Sequence, residues 1–412
     1  MFDNLLYQPA AALLSADIAK NQLPGAILLS GAASSGKLTC ALEVARILAC
    51  TGNPRGSWTC ACPSCRKSKE LASTNLLLAG SRDCTLEIRA GSRALLQAAC
   101  DNAAHLTATR YLFVRAVRKL TLRFSAVLWE DDDKLSKLAP CLQAIDEQLE
   151  LIAVEKPLPE QAKLEKITAE IIKQAEKLES GFMYDALPIS QIRKAALWAH
   201  LKSAEGRKVC IIENADRMNE GARNALLKTL EEPPEDTVFV LTTARRGAML
   251  PTILSRVRTY SFAERVAAEQ AEVIRRVFHA SAGAEPASGA SADAALTIDG
   301  YLQTFLPVTP AVVAEQARLF VQSLGAGAMA DVAAVSKACA GFEPRVLLKI
   351  FLTGILSSYT VQSAPQAELA AQAVAATREC YNSVQLYNQT VQAALERLWR
   401  DLYMAARMVS RW

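Results

Sequence analysis

The stretch "GAASSGKLT" has the composition of a phosphate-binding loop. In such loops glycines let backbone N–H groups curl around the phosphates, and a lysine supplies positive charge. Gly31, Gly36 and Lys37 meet these requirements, but Leu38 stands where a hydroxyl residue normally ligates Mg²⁺. Thr39 follows one residue too late, roughly 100° around a helix from the required direction. The alternative is a Gly/Ser-rich turn that contains a lysine by chance.

A second stretch, "CIIENAD", indicates whether the loop belongs to a site that hydrolyses ATP. An ATPase with such a loop also needs a strand that ends in Asp-Glu. The Asp would hold Mg²⁺ and the Glu would polarise the attacking water. Glu213 stands at the Asp position and Asn214 at the Glu position, and an amide cannot act as a base. Asp216 lies two residues further on and is interpreted as a residue at the core edge or a capping residue. The two departures together predict that hydrolysis is lost.

Four cysteines, Cys50, Cys60, Cys62 and Cys65, lie within sixteen residues. Four thiolates that include a C-x-x-C chelate favour a tetrahedral, structural Zn²⁺ site with no open coordination position. Most of the other cysteines are scattered singly through apolar segments, as in "KVCII". In a reducing compartment these are predicted to be small buried hydrophobic residues.

Composition bounds the class of protein. The chain has 412 residues, 51% of them hydrophobic and 21% charged, with a net charge of +4. These values are typical of an ordinary soluble protein of two or three domains, so any nucleic-acid contact must come from a local patch. No apolar run reaches the ~18 residues that a membrane span needs, and the first residues lack a basic n-region. A cytoplasmic protein with no membrane association is expected.

Hydrophobic periodicity gives the order of elements. A helix, the strand "GAILLS", the glycine-rich loop and the helix "KLTCALEVARILAC" open the chain, and further strands are predicted at 208–216 and 237–244 around the helix "MNEGARNALLKTLEE". Alternating strands and helices predict a parallel sheet with helical cover. Residues 85–185 are predicted to be helical and to end in an antiparallel hairpin broken by prolines, and 279–296 is predicted to be a flexible loop.

With these residues in view, the chain resembles the clamp-loader branch of the AAA+ ATPases. The resemblance rests on "MFDNLLYQPAAALLSADIAKNQLPGAILLSGAASSGK" and on the motif set "ENAD…NALLKTLEEPP…LTT…LP…ILSR". It covers about 1–80 and 186–262 closely and the C-terminal part loosely. Within the branch, Leu38, Glu213 and Asn214 favour the delta-prime type of subunit over the ATP-hydrolysing gamma/tau type.

The resemblance implies an α/β AAA+ P-loop domain followed by an all-α lid and an all-α collar. The boundaries are expected at 1–262 for the AAA+ domain, 263–345 for the lid and 346–412 for the oligomerising collar. The first domain would include the helical insertion at 85–185, where the family has a shorter link, and a zinc module at 50–65. Five basic residues of the insertion could contact DNA or form a solvated helix face: Arg110, Arg115, Arg118, Lys119 and Arg123.

The resemblance also implies roles for individual residues. Arg256, in "ILSR", matches the position of an arginine finger that acts on ATP held by a neighbouring subunit; read alone, it is a solvated Arg at a helix end. Thr242 and Thr243 match a sensor position, although both can simply finish a strand. Arg345 is a weak candidate for a second sensor. The degenerate nucleotide site would then consist of Gly31, Gly36, Lys37, Thr39, Glu213 and Thr243.

The cysteines match the family pattern with one flaw, because Thr59 occupies the second ligand position and Cys60 lies one residue late. Zinc is expected if the preceding loop shifts by one residue. ATP or ADP binding is left open.

The function implied is that of a non-motor subunit of bacterial DNA polymerase III that is not itself an active ATPase. It would work in a hetero-pentamer with gamma/tau and delta subunits to load the sliding clamp onto primed DNA. A gamma/tau-like ATPase and a purely architectural scaffold are the alternatives.

Overall fold

A computed structural model describes most of the chain, namely residues 1–81, 84–184, 186–203, 206–280, 297–359, 364–385 and 389–409. The described residues form two compact units. The first comprises the residues up to 280 together with 297–299, and the second begins at Gly300. Most of the loop predicted at 279–296 lies outside the described residues.

A five-stranded parallel sheet forms the centre of the first unit. The strands are β1 (Ala26–Ser30), β2 (Leu76–Ala79), β3 (Lys208–Ile212), β4 (Thr237–Thr243) and β5 (Arg258–Ser261). Their order in the sheet is β2-β3-β4-β1-β5. The predicted strands β1, β3 and β4 are confirmed. Because all strands run in the same direction, the segments that follow β1, β3 and β4 meet at one edge of the sheet.

Helices cover both faces of this sheet. They are α1 (Ala10–Ala19), α2 (Lys37–Ala49), α3 (Pro63–Lys69), α4 (Thr85–Cys100), α5 (Leu106–Thr121), α6 (Ala126–Trp129), α7 (Leu135–Leu151), α8 (Gln161–Phe182), α9 (Ile189–His200), α10 (Glu220–Glu231), α11 (Pro251–Leu254) and α12 (Ala267–Val277). Strand β1 shows how the faces divide: Leu28 belongs to one hydrophobic cluster, while Ile27 and Leu29 belong to the other. This alternation follows from the two-residue period of a strand.

The described residues 85–184 consist largely of helices, as predicted for 85–185. The apolar stripe of α8, at spacings of three and four residues, is buried along its whole length: Leu164, Ile167, Ile171, Ala175 and Leu178. It packs on α7 in one hydrophobic cluster, which confirms the predicted helical hairpin. The two helices are separated by the segment that contains Pro157 and Pro159.

All the regular elements that the structure describes beyond Gly300 are helices. Its helices span Pro310–Ala326, Val332–Ala338, Val346–Ser357, Ala364–Gln385 and Val391–Val409, after a first one, Ile298–Gln303, that begins in the first unit. Phe320, Phe342 and Leu347 share one core, so apolar residues on both sides of 345 pack together. The α/β class followed by an all-α region is confirmed, whereas the separate lid and collar roles stay a prediction. None of the described helices has the length and apolar character of a membrane span.

Candidate nucleotide site and metal centre

The glycine-rich loop lies between β1 and α2, the position that a phosphate loop requires. The backbone geometry at both of its glycine positions requires a residue without a side chain. Gly36, at the start of α2, has φ of +94°, a conformation that favours glycine. A Cβ added to Gly31 would lie 2.6 Å from the carbonyl oxygen of Phe262. The predicted loop is therefore present as a strand, a tight turn and a helix.

Lys37 is turned into this loop. Its ammonium group donates to the carbonyl oxygen of Gly31 at 2.7 Å, to that of Ala32 and to Ser35 Oγ at 3.3 Å. The side chain is buried. A phosphate group would have to draw the ammonium away from these oxygens.

The two residues after Lys37 offer no metal ligand in the expected direction. Leu38 is buried in the hydrophobic cluster on one face of the sheet, together with Leu42 of the same helix. Thr39 is half-buried in the first turn of α2. A helix fixes the direction of each side chain, so the hydroxyl of Thr39 cannot take the place that Leu38 occupies.

Glu213, directly after β3, is held in a buried ion pair. Its carboxylate accepts a hydrogen bond from the guanidinium group of Arg123, and both side chains are buried. Arg123 lies in a short turn between α5 and α6, and its carbonyl oxygen accepts from Trp129 Nε1 at 2.8 Å. Gly80 of the neighbouring strand end approaches so closely that an added Cβ would lie 2.8 Å from the Cβ of Glu213. The carboxylate at the metal-holding position therefore faces an arginine.

Hydrogen bonds hold Asn214 and the two threonines that end β4, Thr242 and Thr243. Asn214 donates from its side chain to the carbonyl oxygen of Ser81 at 2.8 Å and from its backbone to Thr242 Oγ1 at 3.2 Å. Thr243 Oγ1 donates to Asp216 at 2.9 Å, and Asp216 also accepts from Arg245 Nε at 3.1 Å. Asp216 is thus a buried acceptor that ties β4 to the segment after β3, as interpreted from the sequence. The sensor role of Thr243 stays a prediction.

Arg256, the candidate arginine finger, lies between α11 and β5 with its side chain partly exposed. Its Nε donates to Glu231, the last residue of α10, at 2.9 Å, and its Nη1 donates to the carbonyl oxygen of Thr252 at 2.6 Å. The ion pair is accessible to solvent, so it is weak and can exchange partners. Arg345, the candidate second sensor, lies in the second unit at the start of the helix Val346–Ser357.

The four cysteines converge, including the one that lies late in the sequence. The thiol sulfurs of Cys50, Cys60, Cys62 and Cys65 all lie within 4.8 Å of one another. A tetrahedral zinc site with Zn–S bonds of about 2.3 Å has sulfur atoms about 3.8 Å apart. Cys50 Sγ and Cys60 Sγ are separated by 3.8 Å. The four residues therefore fit a zinc ion.

Backbone N–H groups donate to two of the four sulfur atoms and favour their thiolate form, whereas burial raises the pKa of the Cys65 thiol. The N–H groups of Gly52 and Gly56 donate to Cys50 Sγ at 3.4 Å and 3.3 Å, and that of Cys65 donates to Cys62 Sγ at 3.4 Å. Burial raises the pKa of the Cys62 thiol, but hydrogen bonds from its neighbours outweigh burial and lower that pKa to about 6. A Cβ on Gly52 would lie 2.4 Å from Cys60 Sγ, so a glycine at this position lets the loop close around the cluster. Outside the cluster, Cys40, Cys84, Cys141, Cys210, Cys339 and Cys380 are buried as predicted, and Cys100 is exposed.

The five basic residues of α5 and of the turn that follows it match neither predicted role. Arg110 is buried and donates to the carbonyl oxygen of Ile152 at 2.8 Å, and Arg115 donates to that of Lys69 at 2.9 Å. The others form ion pairs: Arg118 with Asp146 at 3.9 Å, Lys119 with Glu87, and Arg123 with Glu213. Arg115 and Arg123 thus contact residues outside the helical stretch, whereas the other three bond within it. Because all five side chains are buried or half-buried in such contacts, they form neither a solvated face nor an open patch for DNA.

Sequence reasoning missed two functional candidates. Arg123 is predicted only to contact DNA or to lie on a solvated helix face, because nothing local indicates a partner ninety residues away. Arg46, inside the apolar helix α2, contacts the cysteine cluster through Cys65 Sγ at 3.6 Å. Its position four residues before Cys50, which directly follows α2, was a signal that could have found it.

The chain is similar in sequence to known proteins. The model of the family described as "DNA polymerase III, delta subunit" matches residues 7–126 and 149–265, more than half of the chain. Of the helical stretch at 85–185, therefore, only 127–148 lies outside the two matched ranges.

Curated relatives match shorter segments. The DNA polymerase III subunit delta' of Pseudomonas aeruginosa is 55% identical over 51 residues, 12% of this chain and 16% of the relative. The delta' subunit of Bacillus subtilis is 48% identical over 56 residues, 14% and 17% of the two chains. The tau subunit of Bacillus subtilis is 36% identical over 109 residues, 26% and 19% of the two chains. Each aligned segment spans less than a fifth of the relative's length.

Among solved structures, a gamma subunit-related protein of DNA polymerase III from Thermotoga maritima is 18% identical, with a TM-score of 0.31, over 58% of this chain and 90% of that one. The family match over more than half of the chain shows that the protein belongs to the clamp-loader family of DNA polymerase III subunits.

Proposed function

We propose that the chain is a non-motor, delta-prime-like subunit of a bacterial clamp loader. It helps to load the sliding clamp onto primed DNA in the cytoplasm, in a hetero-pentamer with gamma/tau and delta subunits. Two of the relatives described above are named delta', which supports this assignment. The observation that carries the proposal is the buried pair between Glu213 and Arg123.

Three features argue against ATP hydrolysis by this chain. Leu38 is buried and has no oxygen for a metal ion. The carboxylate of Glu213, at the metal-holding position, is already neutralised by its ion pair with Arg123. Asn214 has no basic group, and its amide donates to Ser81. Binding of Mg²⁺ and activation of water are therefore both lost, because each needs a free carboxylate.

Nucleotide binding is weak or absent in this proposal. The backbone N–H groups of the loop and the charge of Lys37 remain suited to phosphate. The ammonium group, however, already has three oxygen acceptors within the loop. A nucleotide must replace these contacts without the help of a metal ligand at Leu38.

Arg256 acts, in this proposal, on ATP bound by a neighbouring gamma/tau subunit. Arginine fingers stabilise the charge that develops during phosphoryl transfer and raise rates by ~10³ to 10⁵ in well-studied GTPases. The partly exposed guanidinium of Arg256 is bonded to Glu231 at 2.9 Å within its own chain. Release from this weak surface pair costs little, so the side chain is free to turn toward a partner.

The test is Arg256→Ala in a clamp loader reconstituted with gamma/tau and delta subunits. The expected result is intact assembly with a loss of clamp-dependent ATPase activity of at least about 100-fold, a conservative share of what an arginine finger contributes. Arg275→Ala is the matched control, because Arg275 also forms an exposed ion pair, with Glu272 at 2.6 Å. Unchanged turnover in the Arg256→Ala complex would refute the finger and leave an architectural scaffold.

A gamma/tau-like ATPase is the second candidate function. It is favoured by the tau relative, whose aligned segment of 109 residues is longer than those of the two delta' relatives. The two functions differ in the isolated chain, since only a motor subunit hydrolyses ATP through its own loop.

The cysteine cluster is proposed to hold a structural Zn²⁺ ion. Cys50, Cys60, Cys62 and Cys65 would supply all four ligands, which leaves no coordination position open for chemistry. The ion would connect the end of α2 to the start of α3. Metal analysis of the purified chain tests this: one zinc per chain is expected, and its absence from chain purified with zinc supplied would refute the assignment.

A further inference from the structure

A buried arginine lies beside the cysteine cluster. Arg46 is on α2, four residues before Cys50, and its side chain is fully buried. Its Nη1 donates to Cys65 Sγ at 3.6 Å and to the carbonyl oxygen of Ser57 at 2.9 Å, and its Nη2 donates to the carbonyl oxygen of Gly56 at 2.9 Å. One guanidinium group thus contacts both a cysteine of the cluster and the loop between the cysteines.

The contact with Gly56 extends to a second cysteine. The carbonyl oxygen of Gly56 accepts from Arg46, while its N–H donates to Cys50 Sγ at 3.3 Å. Gly56 has φ of +77°, and an added Cβ would lie 3.1 Å from Ile47 of α2, so the loop lies tightly on this helix. Fixing the loop therefore fixes a hydrogen bond to the sulfur of Cys50.

Charge gives Arg46 a further role. The complex of one divalent ion with four thiolates has a net charge of −2. Such a charge is costly to bury without a compensating positive group. Arg46 pairs with Glu43 through its Nε at 2.9 Å, and Arg115 lies 3.9 Å from the other oxygen of Glu43. Among the described residues, that second oxygen of Glu43 has no hydrogen-bond partner. Arg46 and Arg115 together carry two positive charges and Glu43 carries one negative charge, so one net positive charge remains beside the cluster.

We propose that Arg46 is a positioning residue of the metal centre. It donates to the sulfur of Cys65, holds the loop at Gly56 and Ser57 so that Cys50 receives a backbone hydrogen bond, and offsets the negative charge of the thiolates. Groups that hydrogen-bond metal ligands typically change metal affinity by about 10-fold to 100-fold when they are removed. The inference rests on the proposed zinc site.

The test uses the full chain loaded with zinc and challenged with a chromogenic chelator. Arg46→Met removes both the charge and the donors, and Arg46→Lys keeps the charge but loses the planar set of donors. We expect zinc affinity about 10-fold to 100-fold lower and faster release in Arg46→Met, with partial rescue in Arg46→Lys. With Co²⁺ in place of zinc, the thiolate charge-transfer band should shift in Arg46→Met, because this band reports on the metal–sulfur bonds directly.

Arg89→Met is the matched control, because it removes an arginine from an ion pair with Glu176 outside the cluster. If Arg46→Met does not fold, the double variant Arg46→Met/Glu43→Gln removes both charges of the buried pair and replaces it in the assay. Zinc bound by the wild type and held equally well by the Arg46 variants would overturn the inference alone. A wild-type chain that binds no zinc would overturn the inference and the zinc assignment together.

Discussion

The phosphate loop and the cysteine cluster each depart from their sequence pattern by one residue. In the folded chain the displaced side chain reaches the expected position in the cluster but not in the loop. In the cluster, Cys60 lies one residue late, yet its sulfur joins the other three within 4.8 Å. In the nucleotide site, Thr39 lies one residue after the metal-ligating position, and Leu38 is buried there instead. The four thiols lie together, whereas a buried leucine occupies the position at which the pattern has a hydroxyl group.

The difference lies in the elements that carry the residues. Cys60 belongs to the loop 51–62, in which Gly52 and Gly56 allow close approach, so a shift of one residue changes only the path of the loop. Leu38 is in the first turn of α2, where a shift of one residue rotates the side chain by about 100°. Glu213 likewise follows a strand whose register is fixed by its neighbours. Offsets in loops can be repaired by the backbone, whereas offsets in regular elements cannot.

Loss of one cysteine ligand has the largest expected effect on this comparison. Cys62→Ser should abolish stable zinc binding and lower the melting temperature markedly, because structural zinc sites bind with roughly 10–16 kcal/mol in zinc-finger peptides. Metal content by mass spectrometry and thermal unfolding measure this. Cys100→Ser is the control, since Cys100 is exposed and lies outside the cluster. Full zinc content in Cys62→Ser would show that the four thiols do not act as one site.

Unpairing Glu213 has the next largest effect. Arg123→Met leaves a buried carboxylate without its partner and should lower the free energy of unfolding by about 3–5 kcal/mol. The double variant Arg123→Met/Glu213→Gln should recover most of this loss, because both charges of the buried pair are then removed. Urea unfolding of the single and double variants measures the coupling. A single variant as stable as the wild type would contradict the view that Arg123 takes the place of the metal charge.

The pair between Arg256 and Glu231 has the smallest expected effect. Glu231→Gln should change the free energy of unfolding by about 1 kcal/mol or less, as is usual for exposed ion pairs. In the reconstituted complex it should leave ATPase activity equal or higher, because Arg256 is released for the neighbouring site. A loss of activity as large as that of Arg256→Ala would show instead that Glu231 positions the finger.

Local patterns predicted much of this fold. Strands β1, β3 and β4 were found because each is an apolar run between turn residues, and the stripe of α8 identified its buried face. Strands β2 and β5 have only four residues each, and β5 buries little, so neither gave a clear signal. The five-strand order was not predicted, because pairing depends on contacts between distant parts of the chain.

The candidate sites divide in the same way. The four cysteines are close in sequence, and their convergence was predicted from spacing. Arg46 was missed although its partners are local. Arg123 and Glu213 are separated by ninety residues, and one sequence holds no sign that an arginine of a helical stretch pairs with a carboxylate after a strand. The basic residues of α5 were misinterpreted for this reason.

ATP turnover by the isolated, zinc-loaded chain, with Mg²⁺ present, tests the central claim most directly. Titration calorimetry with ATP in the same sample records binding separately from turnover. The structure predicts no hydrolysis above that of a Lys37→Ala variant, with weak binding or none. Hydrolysis that the Lys37→Ala substitution abolishes would contradict the account and make this chain a motor subunit in its own right.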